Sequence, residues 1–189
     1  MRLENYLQEM KIYNQAWPDF KYLIHLARST DDRESIMKNG FELGRNDIIL
    51  RGVYTRPKKW MSTGEFKNSI ESKKGLEIMT RPDAKVFDNG CDRPMDALYG
   101  YSESPKFRKI YKEFLNKLGF KIDKIDPNKG GRGDPERERY IDDHEARKKF
   151  QKMLYDWLQT NGYSLYVNGG EIIIVNPQKA IALDGVKRL

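Results

Sequence analysis

Short apolar runs typical of β-strands occur near both ends of the chain, and helical patterns separate them. The first run is FKYLIHL (20–26), and the last two are YSLYV (163–167) and EIIIV (171–175), joined by Asn168-Gly169-Gly170. Aromatic and β-branched residues favour strands, and a short Gly-containing connection favours a hairpin. Because a sheet buries its apolar face only against another layer, we expect these strands to join one sheet that helices cover. The sequence therefore predicts an α+β fold.

Further elements are predicted between these ends. Strands are expected at 48–50, 52–55, 75–80 and 85–88. Apolar residues at helical spacing occur in 1–15, from Ser29 or Thr30 to Gly40, from Ser104-Pro105 to Gly119, and in 146–161. Residues 89–103 and the wholly polar stretch 126–135 are expected to be loops, and 57–74 is expected to be a polar loop punctuated by Trp60 and Phe66.

The chain is long enough for one domain with its own core. Its 189 residues correspond to a chain that buries about two-thirds of its unfolded surface on folding. We expect an N-terminal helical arm (1–18) and a single domain (19–189) with a helical, basic insertion around 89–150.

Composition excludes several classes of protein. Cys91 is the only cysteine, so an intramolecular disulfide, a Cys-rich zinc site and a CxxC redox pair are excluded. His25 and His144 are the only histidines, which excludes a His-rich metal centre, and no metal dependence is indicated. No apolar run is long enough to span a membrane, and the N-terminus lacks a signal-peptide core. The sequence predicts a soluble, cytoplasmic protein without a membrane partner.

Three side chains that could carry chemistry occur within predicted strands. His25 interrupts the first strand, Tyr54 lies in Gly52-Val53-Tyr54-Thr55, and Glu171 begins an apolar strand. Taken singly, each residue has an ordinary structural explanation: a hydrogen-bonded histidine, a core tyrosine and a charge at a strand end.

The order and surroundings of these residues resemble the ADP-ribosyltransferase fold in its His-Tyr-Glu branch, which includes diphtheria-toxin-like enzymes and poly(ADP-ribose) polymerases. The matching segments are YLIHL with SIMKNGF (22–26 and 35–41), GVYT (52–55), and the closing hairpin from Leu158 to Pro177. The chain departs from the pattern after His25, where Leu26-Ala27 replaces Gly-Thr or Gly-Ser. The family's second tyrosine has no clean match, and Trp60 and Phe66 are the nearest aromatic residues.

This resemblance implies split antiparallel β-sheets with flanking helices, and it makes 19–189 a catalytic domain that uses NAD as substrate. Glu171 would stabilise the positive charge that develops on the ribose as nicotinamide leaves. Tyr54, with Trp60 or Phe66, would stack on the nicotinamide. His25 would hold the adenosine-side ribose, and Arg28, or less strongly Arg56, would bind the pyrophosphate. The implied activity is mono-ADP-ribosylation of a macromolecule, either a protein or a nucleic acid.

Two alternatives remain open. An enzyme similar to an RNA 2′-phosphotransferase would use the same fold and NAD, and a non-catalytic module would use the fold only to bind nucleic acid or protein. The net charge of +7 and the seven Lys and Arg residues of 104–124 are compatible with a nucleic-acid contact. An amphipathic helix with a solvated lysine face is the favoured explanation of that segment, because its aromatic residues fall on the apolar stripe.

Two further sequence features bear on the group that would accept ADP-ribose and on the kind of organism that encodes the protein. Arginine-directed relatives carry a Glu two residues before the catalytic Glu, and the chain has Gly169 there, so arginine is disfavoured as the acceptor. The opening MRLENYL (1–7) resembles openings common among bacteriophage proteins, which implies a phage or bacterial source and action in the host cytoplasm.

Overall fold

The computed structural model describes residues 20–43, 50–93, 96–122 and 134–189. The predicted arm (1–18), most of the predicted strand 48–50 and most of the predicted loop 126–135 lie outside the described residues.

The described residues form an α+β fold, as predicted. The strands are β1 Tyr22–Leu26, β2 Val53–Pro57, β3 Gly75–Thr80, β4 Val86–Asp88, β5 Leu165–Asn168, β6 Glu171–Ile174 and β7 Ile181–Arg188. The helices are α1 Thr30–Asn39, α2 Thr63–Glu71, α3 Asp96–Tyr99, α4 Pro105–Lys117, α5 Pro135–Asp142, α6 His144–Thr160 and α7 Pro177–Ala180, and a 3₁₀ turn spans Lys58–Trp60.

Local sequence signals explain most helix boundaries. The Ser29 hydroxyl accepts the Asp32 N–H at the start of α1, and Gly40 ends that helix with φ +81°. Ser104 and Pro105 begin α4 as predicted. The loop prediction for 57–74 was wrong, because Ser62 and Glu65 form a reciprocal capping box that starts α2. The short helix α3 likewise lies within the predicted loop 89–103.

The strands of the described residues form one mixed sheet in the order β4-β5-β6-β2-β1-β3-β7. All neighbouring strands are antiparallel except β4 and β5, which are parallel. The expectation of antiparallel sheets is therefore corrected for this pair. Parallel neighbours need a long crossover, and the segment from α3 to α6 provides it.

Strand β2 joins two half-sheets. Its first part, Val53 to Thr55, pairs with β6, whereas Arg56 and Pro57 pair with β1. We call β1, β3 and β7 half-sheet A, and β6, β5 and β4 half-sheet B. The two half-sheets therefore separate beside Tyr54, where pairing of β2 with β1 has ended.

Two apolar clusters lie on opposite faces of β2. The inter-sheet cluster contains Leu23 and Ile78 from half-sheet A and Ile172 and Ile174 from half-sheet B. The helix-side cluster covers the other face of half-sheet B, with Phe107, Tyr111, Leu115, Phe150, Leu154 and Leu158 packed around Tyr166 and Ile173. Val53 belongs to the inter-sheet cluster, and Tyr54 packs against the helix-side cluster.

The aromatic residues of the basic segment 104–124 belong to the core. Phe107 and Tyr111 are fully buried and Phe120 is nearly so. Their rings face the protein interior, as the amphipathic-helix interpretation requires, so they have no surface on which a nucleic-acid base could stack.

Candidate functional site

His25 bridges the separation between the two half-sheets. Its Nδ1 lies 2.9 Å from the carbonyl oxygen of Tyr54, next to the last β1–β2 pair, Ile24 with Arg56. Because a carbonyl oxygen can only accept, Nδ1 carries the proton and donates it. The imidazole N–H therefore donates to a carbonyl oxygen that a backbone N–H of β1 would bond if the β1–β2 pairing continued. The ring of Phe41 contacts the imidazole edge-on, with 5.4 Å between ring centroids.

The surroundings of His25 fix its ionisation state and its tautomer. Burial lowers the pKa of the imidazole, and the Tyr54 carbonyl and the charge of Asp32 oppose that shift only in part. The neutral ring therefore predominates at neutral pH. With the proton on Nδ1, the other nitrogen, Nε2, is a hydrogen-bond acceptor, which suits it to receive a hydroxyl group.

The hydroxyl of Tyr54 is bonded to the backbone four residues earlier. It donates to the carbonyl oxygen of Leu50 over 2.7 Å and accepts the Leu50 N–H over 3.0 Å. These two bonds fix the hydroxyl end of the half-buried ring and so hold the ring in one orientation. The pairing of Tyr54 with Ile173 sets the position of its backbone. The ring is thus a rigid aromatic surface beside the separation of the half-sheets.

Gly52 has a steric reason to precede Val53 and Tyr54. A Cβ atom at this position would lie 2.4 Å from Cγ2 of Ile173 and 2.8 Å from the carbonyl oxygen of Ile174. No side chain fits at these distances, so glycine allows β2 to approach β6 at its first residues. The Gly-Val-Tyr segment therefore has a packing function that is independent of any chemistry at Tyr54.

Glu171 begins β6 immediately after the Gly169-Gly170 turn, and its cross-strand partner is Asn168. Alternation along the strand directs Glu171 to the same face as Ile173, the partner of Tyr54. Two residues along a strand span about 7 Å, so Glu171 lies one short step from the Tyr54 row. The carboxylate is half-buried and has no ion pair among the described residues.

Arg56 and Glu65 bring α2 to the same face. Arg56 Nη1 lies 2.6 Å from Glu65 Oε1. Hydrogen bonds from Ser62, and to a smaller extent the charge and bond of Arg56, lower the pKa of the Glu65 carboxyl. Arg56 is two residues beyond Tyr54 on its strand. The β2–β6 pairing ends at Thr55 with Ile172, and Arg56 and Glu171 are the next residues along the two strands. The start of α2 is therefore tied to β2 next to its last pair with β6.

The two candidate partners for the Tyr54 ring occupy different environments. Phe66 follows Glu65 on α2, and the Lys58 ammonium lies 5.0 Å from its ring centroid. Trp60 instead contacts Phe20 of the inter-sheet cluster edge-on at 5.8 Å and is 46% exposed. Phe66 thus lies near Lys58, which forms an ion pair with Glu77 of β3, whereas Trp60 packs against the inter-sheet cluster.

Arg28 lies just after β1 at the start of α1. Its backbone N–H donates to Asp32 Oδ2 over 3.0 Å, and the residue is exposed. The structure therefore places His25, Tyr54 and Glu171 on three adjacent strands, β1, β2 and β6, and leaves Arg28 just before α1. The side chains of His25 and Tyr54 lie on different faces: His25 contacts Phe41, which packs against the inter-sheet cluster, whereas Tyr54 packs against the helix-side cluster. Sequence reasoning missed Glu65 and Phe41, although the Ser62-x-x-Glu65 capping pattern is a local signal for the former.

Within the described ranges, no group of three His, Cys, Asp or Glu side chains is arranged to hold a metal ion. No helix in the described part of the chain is long and apolar enough to cross a membrane.

Comparisons of the chain with protein-family models, with curated proteins and with solved structures gave no match.

Proposed function

We propose that the protein is an NAD-dependent mono-ADP-ribosyltransferase with an ADP-ribosyltransferase-like fold across 19–189. The observation that supports this proposal most is the separation of the half-sheets at Tyr54. There His25, Tyr54 and Glu171 occupy three adjacent strands, and each offers a different chemical group: a hydroxyl acceptor, an aromatic surface and a carboxylate.

Glu171 is the proposed catalytic residue. Cleavage of the bond between nicotinamide and ribose develops positive charge on the ribose, and a nearby carboxylate stabilises that charge in the transition state. A carboxylate that also accepts a ribose hydroxyl holds the sugar in the reactive position. Glu171 is half-buried, lies two residues before Ile173, the cross-strand partner of Tyr54, and has no ion pair among the described residues.

Tyr54 and Phe66 are the proposed nicotinamide contacts. A flat aromatic ligand packs against flat rings, and the Tyr54 ring is held in one orientation by its two bonds to Leu50. Phe66 is the better second ring, because its neighbour Glu65 binds Arg56 on the face of Tyr54. Trp60 contacts Phe20 in the opposite cluster.

His25 and the two arginines are the proposed contacts for the rest of NAD. Nε2 of the neutral imidazole would accept a hydroxyl of the adenosine-side ribose. Arg56 and Arg28 would bind the pyrophosphate, since a guanidinium matches phosphate geometry. Arg56 lies on β2 next to the last pair of β2 with β6, and binding a phosphate would require it to share its charge with Glu65.

We propose that the group that accepts ADP-ribose is nucleophilic without activation by a second carboxylate two residues before Glu171. Gly169 lies two residues before Glu171, where an activating Glu would otherwise stand. An acceptor group that is already ionised, or that is intrinsically nucleophilic, fits such a site. An enzyme that consumes NAD would act in the cytoplasm, in keeping with the single unpaired cysteine.

Labelled NAD separates this function from its alternatives. The purified protein is incubated with NAD labelled in the adenylate, with and without lysate, and free nicotinamide and macromolecule-bound label are measured. The proposed function predicts nicotinamide release with label bound to protein or nucleic acid. Release only in the presence of 2′-phosphorylated RNA, with loss of that phosphate, would establish the phosphotransferase. Absence of both NAD binding and release would leave the binding module.

A further inference from the structure

A buried polar network lies next to the Glu171 hairpin. Asn89, just beyond β4, donates through Nδ2 to Asn168 Oδ1 over 2.7 Å and to the Tyr166 hydroxyl over 2.8 Å. Its Oδ1 accepts the Cys91 N–H over 3.0 Å. Asn89, Tyr166 and Asn168 are all fully buried. Every polar atom of the Asn89 carboxamide is thus bonded, which fixes its orientation.

The network ends at the residue that immediately precedes the turn. Asn168 is the last residue of β5, and Glu171 is its cross-strand partner after Gly169-Gly170. Two consecutive glycines make the least restrained two-residue turn, because neither has a Cβ atom to limit its backbone. Gly169 has φ +62°, and a Cβ at Gly170 would meet no atom within 4 Å. Packing around the Gly170 position therefore does little to fix the backbone before Glu171.

The bond from Asn89 supplies a restraint that the turn lacks. It connects Asn168 to the exit of β4, which belongs to the far edge of half-sheet B. A carboxamide pair that is fully buried and short is rigid, because rotation of either side chain would leave buried polar atoms without partners. This restraint is transmitted to Glu171 by the Asn168–Glu171 pair.

We propose that Asn168, held by Asn89, is a positioning residue that fixes the Gly169-Gly170 turn and thereby the Glu171 carboxylate. The claim that Asn168 fixes the turn is independent of the reaction. The claim that this matters for catalysis rests on the proposed function, because only an NAD-consuming enzyme requires Glu171 to be held against a ribose.

Two variants test the proposal. Asn168→Ala removes the restraint on the turn. Tyr166→Phe is the matched control, because it removes the other acceptor of the same Asn89 amide group and leaves Asn168 bonded. Thermal unfolding of each variant establishes that it is folded.

The first readout is the ¹⁵N order parameter of the Gly170 and Glu171 amides, which requires no activity. In Asn168→Ala we expect it to fall from about 0.85, the value for rigid backbone, towards about 0.6, and in Tyr166→Phe to stay at the wild-type value. Equal order parameters in Asn168→Ala and wild type would overturn the proposal.

The second readout is nicotinamide release. For Asn168→Ala we expect kcat to fall about 10- to 100-fold with KM for NAD changed less than about twofold, because misplacement of a catalytic group acts on the transition state. Tyr166→Phe should retain kcat. Looser amides with unchanged kcat in Asn168→Ala would also overturn the proposal. Wild-type protein that releases no nicotinamide would contradict the proposed function instead, and the order parameters would still decide the structural half.

Discussion

The imidazole of His25 donates a hydrogen bond to the carbonyl oxygen of Tyr54 over 2.9 Å. This bond spans the point at which β2 stops pairing with β1 and pairs with β6 instead. A side chain therefore completes the hydrogen bonding of the backbone where the sheet separates. The same imidazole keeps its second nitrogen available as an acceptor, so one residue stabilises the separation and contributes a polar group to it.

The pH dependence of stability tests this arrangement. Because burial lowers the pKa of His25 in the folded protein, the unfolded chain binds more protons below about pH 6.5, the ordinary histidine value. The free energy of unfolding should therefore rise with pH from the lowered pKa up to that value, with a slope of at most about 1.4 kcal/mol per pH unit.

Urea unfolding between pH 5 and 8 measures this effect. The variant His25→Gln should lack the histidine contribution to the slope. The variant His144→Gln is the matched control, since His144 is exposed at the start of α6, and it should retain the wild-type slope. An identical pH profile for His25→Gln and wild type would contradict a neutral, bonded His25.

Removal of the Tyr54 hydroxyl should separate stability from stacking. The variant Tyr54→Phe loses both bonds to Leu50, a fully buried residue, and should be less stable by about 1–3 kcal/mol. Because the ring remains, nicotinamide release should decrease less than in Tyr54→Ala, measured on folded protein at the same temperature. Equal losses of release in both variants would show that the ring itself is unimportant.

Substitution of Gly52 should destabilise the protein by overpacking. The added methyl group of Gly52→Ala would overlap Ile173 and the Ile174 backbone, and we expect a loss of about 1–3 kcal/mol. Gly64→Ala is the control, because a Cβ at this helical position meets no atom within 4 Å and alanine favours a helix by up to about 1 kcal/mol. Chemical denaturation measures both, and a Gly52→Ala variant as stable as Gly64→Ala would refute the steric argument.

The second aromatic contact can be assigned by comparing Phe66→Ala with Trp60→Ala. Phe66→Ala should raise KM for NAD at least several-fold, because it removes the proposed second nicotinamide contact, which lies on the helix that Glu65 ties to Arg56. Trp60→Ala should act mainly on stability through its lost contact with Phe20. Nicotinamide release at varied NAD concentration, with thermal melts of both variants, gives the two quantities, and a larger KM effect for Trp60→Ala would reverse the assignment.

The strongly patterned elements could be predicted from the sequence. Ser104-Pro105 and a regular apolar stripe predicted α4, and Asn168-Gly169-Gly170 between two apolar runs predicted the β5–β6 hairpin. The helix predicted at 146–161 begins at His144, because Asp143 has extended backbone and caps α6. Helix α2 was missed because its apolar residues are few, although Ser62 and Glu65 form a capping pattern.

Pairing across the fold could not be predicted. The parallel contact of β4 with β5 depends on the crossover between them, and no local pattern encodes it. The contacts within the candidate site could not be predicted from the sequence either. The resemblance selected His25, Tyr54 and Glu171, whereas the bond from His25 to a backbone carbonyl and the pair of Arg56 with Glu65 arise only when strands and helices pack.

The central claim is that Glu171 acts in the cleavage of NAD. Nicotinamide release is measured for wild type, Glu171→Gln and Glu113→Gln, the last being the same change at an exposed position of α4. We predict that Glu171→Gln lowers kcat at least about 100-fold while NAD binding and the melting temperature stay close to wild type, since the amide keeps the shape and loses the charge. Equal release by Glu171→Gln and Glu113→Gln would contradict the account.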